Sequence, residues 1–194
     1  MKAQYTLLLF LFIFGNIQAQ ENLAIGQWRS LLPYTTGKYV TQTPNEVWYA
    51  ADQSILTFDK EDDSVNFIDR TDGLSDVDVS VLKYSPENDV VVVAYANSNI
   101  DLVTPSNRSV FNMDDIKRKT ELQGDKRVYD VLFLGNAAYL SCGFGIVKIN
   151  LDRREVEYTT FTNLKIRTLS VHDDVFYAAS EEGIFTAPLE GINL

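Results

Sequence analysis

The stretch AYLSCGFGIVKIN, residues 138–150, has the pattern of a β-hairpin. An apolar strand runs into a short turn, and a second strand follows that begins with isoleucine and valine. Gly143 and Gly145 are expected to supply the positive φ that a tight hairpin turn requires. The same pattern recurs as VWYAADQSILTFD (47–59), VVAYANSNIDLV (92–103) and VFYAASEEGIFTA (175–187).

The isoleucine that follows each turn marks a repeat. It falls at Ile55, Ile100, Ile146 and Ile184, so the spacings are 45, 46 and 38 residues. A period of roughly 40–50 residues filled with short strands is typical of β-propeller blades. The sequence therefore predicts an all-β fold, a partial, open and truncated β-propeller of about three and a half four-stranded blades. The blades are expected at approximately 35–70, 77–112, 128–160 and 166–194.

The segments between and within the blades add detail to this prediction. Asp72 and Gly73 form a turn pair, and Leu74 is placed to fill the gap between neighbouring blades. Strict alternation over Val77–Leu82 predicts the first strand of the second blade. The continuous apolar run Val90–Tyr95 indicates a strand covered on both faces, as in stacked blades. Residues 113–127 are expected to form a longer polar crossing.

The first 19 residues have the pattern of a signal peptide. Lys2 precedes the apolar run 7–14, and Ala19 offers a small residue at the cleavage point. Residues 20–194 are then the propeller domain, and the protein is expected to be exported. The run is too short to span a bilayer comfortably, and we expect no transmembrane segment. The net charge of −10 argues against a polyanion-binding surface over the whole domain, so no nucleic acid partner is expected.

The fourth predicted blade lacks its outer strand, because the sequence stops at Leu194. Propellers avoid exposed sheet edges by closing the ring, and three and a half blades cannot close. The segment around Trp28 has the features of a closing strand for a last blade outside this sequence. We therefore expect a fragment of a longer protein that aggregates or unfolds readily when expressed alone.

Five stretches carry a resemblance to a known family. They are IGQWRSLLPY (25–34), DGLSD (72–76), AYANSNIDL (94–102), DIKRK (115–119) and YLSCGFGIV (139–147). Together they resemble the N-terminal propeller of the PorZ family, which belongs to the type IX secretion system. The Asp-Gly-Leu crossing is shared with two-component regulator propellers, and the run at 139–147 is far more specific.

The resemblance implies a non-enzymatic role at the outer membrane or cell surface, with the periplasm as the alternative location. It implies an attachment complex whose partners include a sortase-like peptidase and other proteins. In that complex the cargo is joined to an anionic lipopolysaccharide, which the PorZ-like member presents. One alternative function is the extracytoplasmic sensor propeller of a hybrid two-component regulator. A second is a glycan-degrading enzyme, which would need converging carboxylates on the inner strands, and none stand out there.

No catalytic, cofactor-binding or metal-binding residues are predicted. The lone His172 precedes two aspartates, which a turn between strands explains better than a catalytic pair. Asp59, Glu61, Asp62 and Asp63 fit a solvated turn better than a cation site, because they lack the spacing of a calcium loop. Cys142 is the only cysteine, so no internal disulfide forms, and we expect a buried, inert thiol.

The remaining candidates are basic and aromatic residues. Positive charge is concentrated in the crossing between the second and third blades, at Lys117, Arg118, Lys119, Lys126 and Arg127. These residues are the candidate contact for phosphate or carboxylate groups of an anionic glycan. Four nearby acidic residues nearly cancel the charge, so a simple solvated loop is the alternative. Trp28, Trp48 and Tyr49 could stack on sugar rings, although aromatic residues at strand positions are more often part of the core.

Overall fold

The computed structural model describes residues 34–122 and 124–189. The predicted signal peptide and the segment around Trp28 lie outside these residues. The described part contains four separate antiparallel sheets, and within each sheet the strands are neighbours in chain order. Three sheets have four strands and the fourth has three. The predicted fold class, an open and partial β-propeller, is confirmed.

Fifteen strands and one short helix make up the described part. The first blade contains β1 (Tyr39–Gln42), β2 (Glu46–Ala50), β3 (Ile55–Asp59) and β4 (Val65–Ile68). The second contains β5 (Val79–Ser85), β6 (Val90–Tyr95), β7 (Ile100–Val103) and β8 (Val110–Met113), and helix α1 (Asp115–Arg118) follows it. The third contains β9 (Val128–Leu134), β10 (Ala137–Cys142), β11 (Gly145–Asn150) and β12 (Glu155–Phe161). The fourth contains β13 (Ile166–His172), β14 (Val175–Ser180) and β15 (Gly183–Pro188).

The first strand of each blade is the innermost one, and these strands adjoin one another around the centre. Polar side chains connect them. Lys83 Nζ of β5 lies 3.0 Å from Asp130 Oδ1 of β9, and Thr168 Oγ1 of β13 donates a hydrogen bond to the other oxygen of Asp130. The Tyr84 amide donates to Thr41 Oγ1 at 3.2 Å and so connects β5 to β1.

Apolar clusters fill the space between successive blades. Trp48, Ile55 and Leu74 pack with residues of β6 between the first and second blades, and Leu74 is only 4% exposed. The prediction that Leu74 fills an inter-blade gap is therefore confirmed. Five of the six residues of β6 are buried. Val91 and Val93 face the first blade while Val92 faces the third, so β6 is covered on both faces as predicted.

Three local predictions differ from the structure. Strand β5 begins at Val79 and not at Val77, because Asp78 has a left-handed backbone with φ of 62°. The polar crossing contains helix α1, whose Ile116 is buried against the core. In the hairpin formed by β10 and β11, Gly145 has a φ of 147°, whereas Gly143 is not among the residues with positive φ. Gly143 is needed for space, since a Cβ there would lie 2.2 Å from the Asp125 carbonyl oxygen.

Candidate functional site

Within each blade, successive strands are antiparallel neighbours, so the loops that connect them lie alternately at the two ends of the blade. We call the end that carries the crossings between blades the upper end, and the opposite end the lower end. The β6–β7 turn, helix α1 and the segment that leads into β9 all lie at the upper end. The segment 117–127, which carries the predicted basic contact, is therefore brought beside the β6–β7 turn of the second blade.

An open groove of about 580 Å³ lies at the upper end between the second and third blades, and we call it the upper groove. Three of the five predicted basic residues line it, namely Lys117, Lys126 and Arg127. The other lining residues are Ala96, Asn97, Ser98, Gly124, Asp125 and Tyr129. The structure thus collects cations from two separate parts of the crossing.

Lys117 is held in the upper groove by an ion pair. Its Nζ lies 2.7 Å from Asp76 Oδ2, and Asn97 donates a hydrogen bond to the same oxygen. Partial burial raises the pKa of Asp76, but the hydrogen bonds from Lys117 and Asn97 outweigh it and lower the pKa from 3.8 to about 2. The pair fixes the position of Lys117 and also compensates its charge.

Lys126 and Arg127 are less compensated. Lys126 Nζ donates to the carbonyl oxygen of Lys119, which leaves its positive charge without a carboxylate partner among the described residues. The Arg127 guanidinium makes no hydrogen bond or ion pair with any residue in the described ranges. Its backbone is fixed, since the Gly143 amide donates to the Arg127 carbonyl at 3.1 Å. The turn between β10 and β11 therefore positions Arg127, whose side-chain charge has no partner among the described residues.

The structure places the other two predicted basic residues outside the upper groove. Arg118 is exposed and pairs with Asp114 at 2.6 Å. Lys119 lies 5.8 Å from the ring centre of Phe161 and borders a separate apolar pocket of about 190 Å³ with Ile116. These two residues follow Lys117 directly, but successive residues of a helix point in different directions.

Sequence reasoning missed a second group of charged residues next to the upper groove. Arg167 and Lys165 lie over the ring of Tyr129, at 4.7 and 5.7 Å from its centre. The Tyr129 hydroxyl donates to Asp125. Glu181 pairs with Arg167, and Lys165 is 3.8 Å away from the same carboxylate. The spacing of Lys165 and Arg167, two residues apart at the start of a strand, was the available signal, because such residues share a face.

A buried polar cluster supports the second blade's side of the groove. Asp101 is fully buried, and its Oδ2 accepts hydrogen bonds from the Tyr95 hydroxyl at 2.6 Å and the Ser75 amide at 2.8 Å. Asn112 donates to Oδ1 at 2.9 Å. Burial and the neighbouring Asp101 carboxylate raise the pKa of Tyr95. Since Ser75 precedes Asp76, this cluster holds in place the backbone that presents Asp76 to Lys117.

The pH dependence of stability should reveal the Asp76 pair. Because the folded pKa of about 2 is below the ordinary 3.8, the ionised carboxylate stabilises the fold above about pH 4, and this contribution is lost as the pH falls toward 2. Asp76→Asn should therefore be most destabilising above pH 4 and nearly neutral near pH 2. Urea unfolding of the parent chain and of the Asp76→Asn variant across this pH range measures the difference in stability. A destabilisation that is independent of pH would contradict the assignment.

The histidine and the acidic candidates lie in or beside turns between strands. The His172 side chain is 78% exposed, and Asp173 and Asp174 form a left-handed turn after it. Asp59 Oδ1 accepts the Glu61 amide at 2.7 Å and so closes the acidic turn. Within the described ranges no group of three histidine, cysteine or acidic side chains could hold a metal ion.

The two remaining candidates are buried. Cys142 is completely buried. Its burial, together with a smaller contribution from the negative charge of Asp125, raises the pKa of the thiol. Trp48 is completely buried and donates to Glu46 at 3.1 Å. Tyr49 is half-buried and donates its hydroxyl proton to the Tyr34 carbonyl at 3.2 Å. Trp48 is therefore a core residue, and Trp28 lies outside the described residues.

Solved structures similar to this chain include a bacterial surface component and the extracellular domain of a two-component system. PorZ of Porphyromonas gingivalis, described as an essential bacterial surface component of the type IX secretion system, matches with 28% identity and a TM-score of 0.74. That match covers 83% of this chain and 22% of PorZ, so this chain spans about a fifth of the relative. The extracellular domain of a hybrid two-component system from B. thetaiotaomicron matches with 14% identity and a TM-score of 0.66, over 82% of this chain and 21% of the other, which shows the fold alone.

The family comparison covers most of the chain. A family model described as the N-terminal β-propeller domain of PorZ, of the type IX secretion system, matches residues 47–194. No curated protein matches significantly. Among residues 34–122 and 124–189, no helix is both long and apolar enough to cross a membrane. The match of the family model shows that the chain belongs to the PorZ N-terminal β-propeller domain family of the type IX secretion system.

Proposed function

We propose that this propeller is a non-enzymatic component of the type IX secretion system that acts through surface contacts. Its protein partners would be the sortase-like peptidase and other proteins of an outer-membrane attachment complex, and its upper groove would contact anionic lipopolysaccharide. The observation that carries the proposal is the collection of Lys117, Lys126 and Arg127 in one groove of an acidic chain. The signal-peptide pattern of residues 1–19 supports an exported protein at the cell surface.

The chemistry of the upper groove suits an acidic glycan. The Arg127 guanidinium can donate two parallel hydrogen bonds to a phosphate or carboxylate group, and Lys126 adds a point charge beside it. The exposed Asn97 offers a hydrogen-bonding group for a sugar hydroxyl on the other wall. Because Asp76 compensates Lys117, most of the attraction should come from Lys126 and Arg127.

Two observations favour a binding role over the alternatives. The carboxylate of Asp130 on the inner strands is engaged by Lys83 and Thr168, so it serves as a contact between three neighbouring blades. That arrangement does not resemble the paired acids of a glycosidase. The sensor-propeller alternative is supported by similarity of fold only.

Replacing Lys126 and Arg127 together by alanine should weaken binding of anionic lipopolysaccharide about tenfold, the size expected for two exposed charge contacts. Biolayer interferometry with immobilised lipopolysaccharide, bearing either anionic or neutral polysaccharide, measures the effect. Arg118→Ala is the matched control, because Arg118 lies on the same crossing but outside the groove, and it should bind as the parent does. Equal affinity for the neutral polysaccharide, or an equal loss in the control, would contradict the proposed site.

A further inference from the structure

The upper groove contains one aromatic ring among its described lining residues, that of Tyr129, and the other lining residues are small or polar. We propose that the groove recognises an acidic sugar residue, whose ring stacks on the ring of Tyr129 while its carboxylate or phosphate group binds the Arg127 guanidinium. The proposal rests on the glycan-binding function described above, and it adds which kind of anion the groove selects.

Arg127 and Tyr129 lie on the same side of the chain. Arg127 directly precedes strand β9, and Tyr129 is the second residue of that strand. Val128 between them is completely buried, whereas both of its neighbours line the groove. Residues two apart along a strand share a face, with about 6.5 Å between them. One sugar residue can therefore reach both side chains at once.

The hydroxyl group of Tyr129 is already engaged inside the protein. It donates a hydrogen bond to Asp125 Oδ2, and Asp125 Oδ1 accepts the backbone amide of Arg127 at 3.0 Å. Burial, followed by the hydrogen bond to Asp125, raises the pKa of Tyr129, so the hydroxyl stays protonated at neutral pH. One carboxylate thus holds both the aromatic ring and the backbone of Arg127. What Tyr129 offers to a ligand is its ring.

The side of the Tyr129 ring toward the fourth blade is occupied by two cations. Arg167 lies 4.7 Å from the ring centre and Lys165 lies 5.7 Å from it. Both cations contact the same oxygen of Glu181, so they lie on one side of the ring and not on opposite faces. The ring is oriented before a ligand binds, which reduces the conformational entropy lost on binding.

A fixed aromatic ring in a polar groove suits a sugar better than an acyclic anion. The C–H groups on one face of a sugar ring carry weak positive charge and pack against the negative face of an aromatic ring. The hydroxyl groups at the sugar's edge can reach the exposed Asn97. An acidic peptide would satisfy Lys126 and Arg127 but would leave the ring of Tyr129 unused. The groove should therefore distinguish two anions of equal charge by their shape.

The test is a fluorescence-polarisation titration of the full chain at about 0.05 M salt. The two probes are tetragalacturonate and amidated tetraglutamate, each labelled at one end, so that both carry the same number of carboxylates. Tyr129→Leu should weaken binding of tetragalacturonate roughly three- to tenfold, the size expected for one aromatic stacking contact, and should leave binding of tetraglutamate unchanged. Lys126→Ala with Arg127→Ala should weaken binding of both probes.

Two further variants separate stacking from a structural effect. Tyr129→Phe removes the hydrogen bond to Asp125 but keeps the ring, so it should restore most of the affinity that Tyr129→Leu loses. Tyr177→Leu is the matched control, because Tyr177 of β14 is 38% exposed and is not among the residues that line the groove. Its affinity for both probes should equal that of the parent chain.

The outcomes separate the stacking contact from the proposed function. If the Lys126/Arg127 variant loses binding while Tyr129→Leu binds tetragalacturonate as the parent does, the stacking contact is wrong and the basic contact stands. Equal losses of Tyr129→Leu for both probes, an equal loss in Tyr129→Phe, or an equal loss in Tyr177→Leu would also overturn stacking. Binding of tetragalacturonate that depends on Tyr129 but not on Lys126 and Arg127 would support stacking and overturn the basic contact. Failure of the parent chain to bind either probe would overturn both.

Discussion

Gly145→Ala is expected to lower the free energy of unfolding by about 3 kcal/mol or more. Gly145 has φ of 147°, a conformation that strains any residue with a Cβ. A Cβ would also lie 2.0 Å from the Thr160 carbonyl oxygen on the neighbouring strand β12. Since Thr160 is part of the sheet backbone, the clash cannot be relieved by a side-chain rotation. Chemical denaturation followed by tryptophan fluorescence measures the loss.

Gly183→Ala is the matched control for this prediction. Gly183 begins the corresponding strand of the fourth blade and has a similar φ of 139°, but a Cβ there would meet nothing within 4 Å. Gly183→Ala should therefore lower the free energy of unfolding only by the backbone strain, roughly 1–2 kcal/mol. The difference between the two variants isolates the steric term. Equal losses would show that the close approach to Thr160 contributes nothing.

Asp101→Ala is expected to cost roughly 2–4 kcal/mol of unfolding free energy. The carboxylate is fully buried and accepts three hydrogen bonds, from Tyr95, Ser75 and Asn112. Alanine would leave the buried Tyr95 hydroxyl and the Ser75 amide without their acceptor, whereas Asn112 still donates to Asn99 and to the Ile100 carbonyl. Because the Ser75 amide belongs to the crossing between the first two blades, proteolysis of residues 69–78 should also become faster. Denaturation and limited proteolysis of the same sample measure both effects.

Tyr95→Phe tests the same cluster from the donor side. It removes one hydrogen bond to Asp101 and leaves the carboxylate with the Ser75 and Asn112 donors, so the cost should be about 1 kcal/mol. In a double-mutant cycle the two changes should be strongly non-additive, since Tyr95 and Asp101 contact each other directly. Additive losses, or a neutral Asp101→Ala, would show that the cluster does not stabilise the crossing.

Local patterns in the sequence were sufficient to predict most strands. Strand β6 has the predicted bounds, because its β-branched and apolar residues run between clear turn residues. The repeat of these patterns also predicted the blade architecture, and Leu74 was placed correctly between two blades. These features depend on residues close in sequence, and each blade repeats the same local pattern.

The role of Gly143 could not be read from the sequence. A glycine in a turn serves either a positive φ or a close approach, and only the position of Asp125, 18 residues earlier, shows that it is the second. Asp101 is a similar case. It lies between apolar residues of a short strand, and its hydrogen-bond donors come from three other segments.

In the upper groove, too, some features follow from the sequence and others only from the tertiary structure. The sequence determined that positive charge is concentrated at 117–127, because composition alone reveals it. The tertiary structure decided which charges meet: it gathered Lys117, Lys126 and Arg127, turned Arg118 and Lys119 away, and added Asn97 from another turn. Side-chain direction on a helix and the stacking of blades depend on packing between distant segments. Residues far apart in the chain become neighbours only when the blades assemble, which is why the strands were predictable and the groove was not.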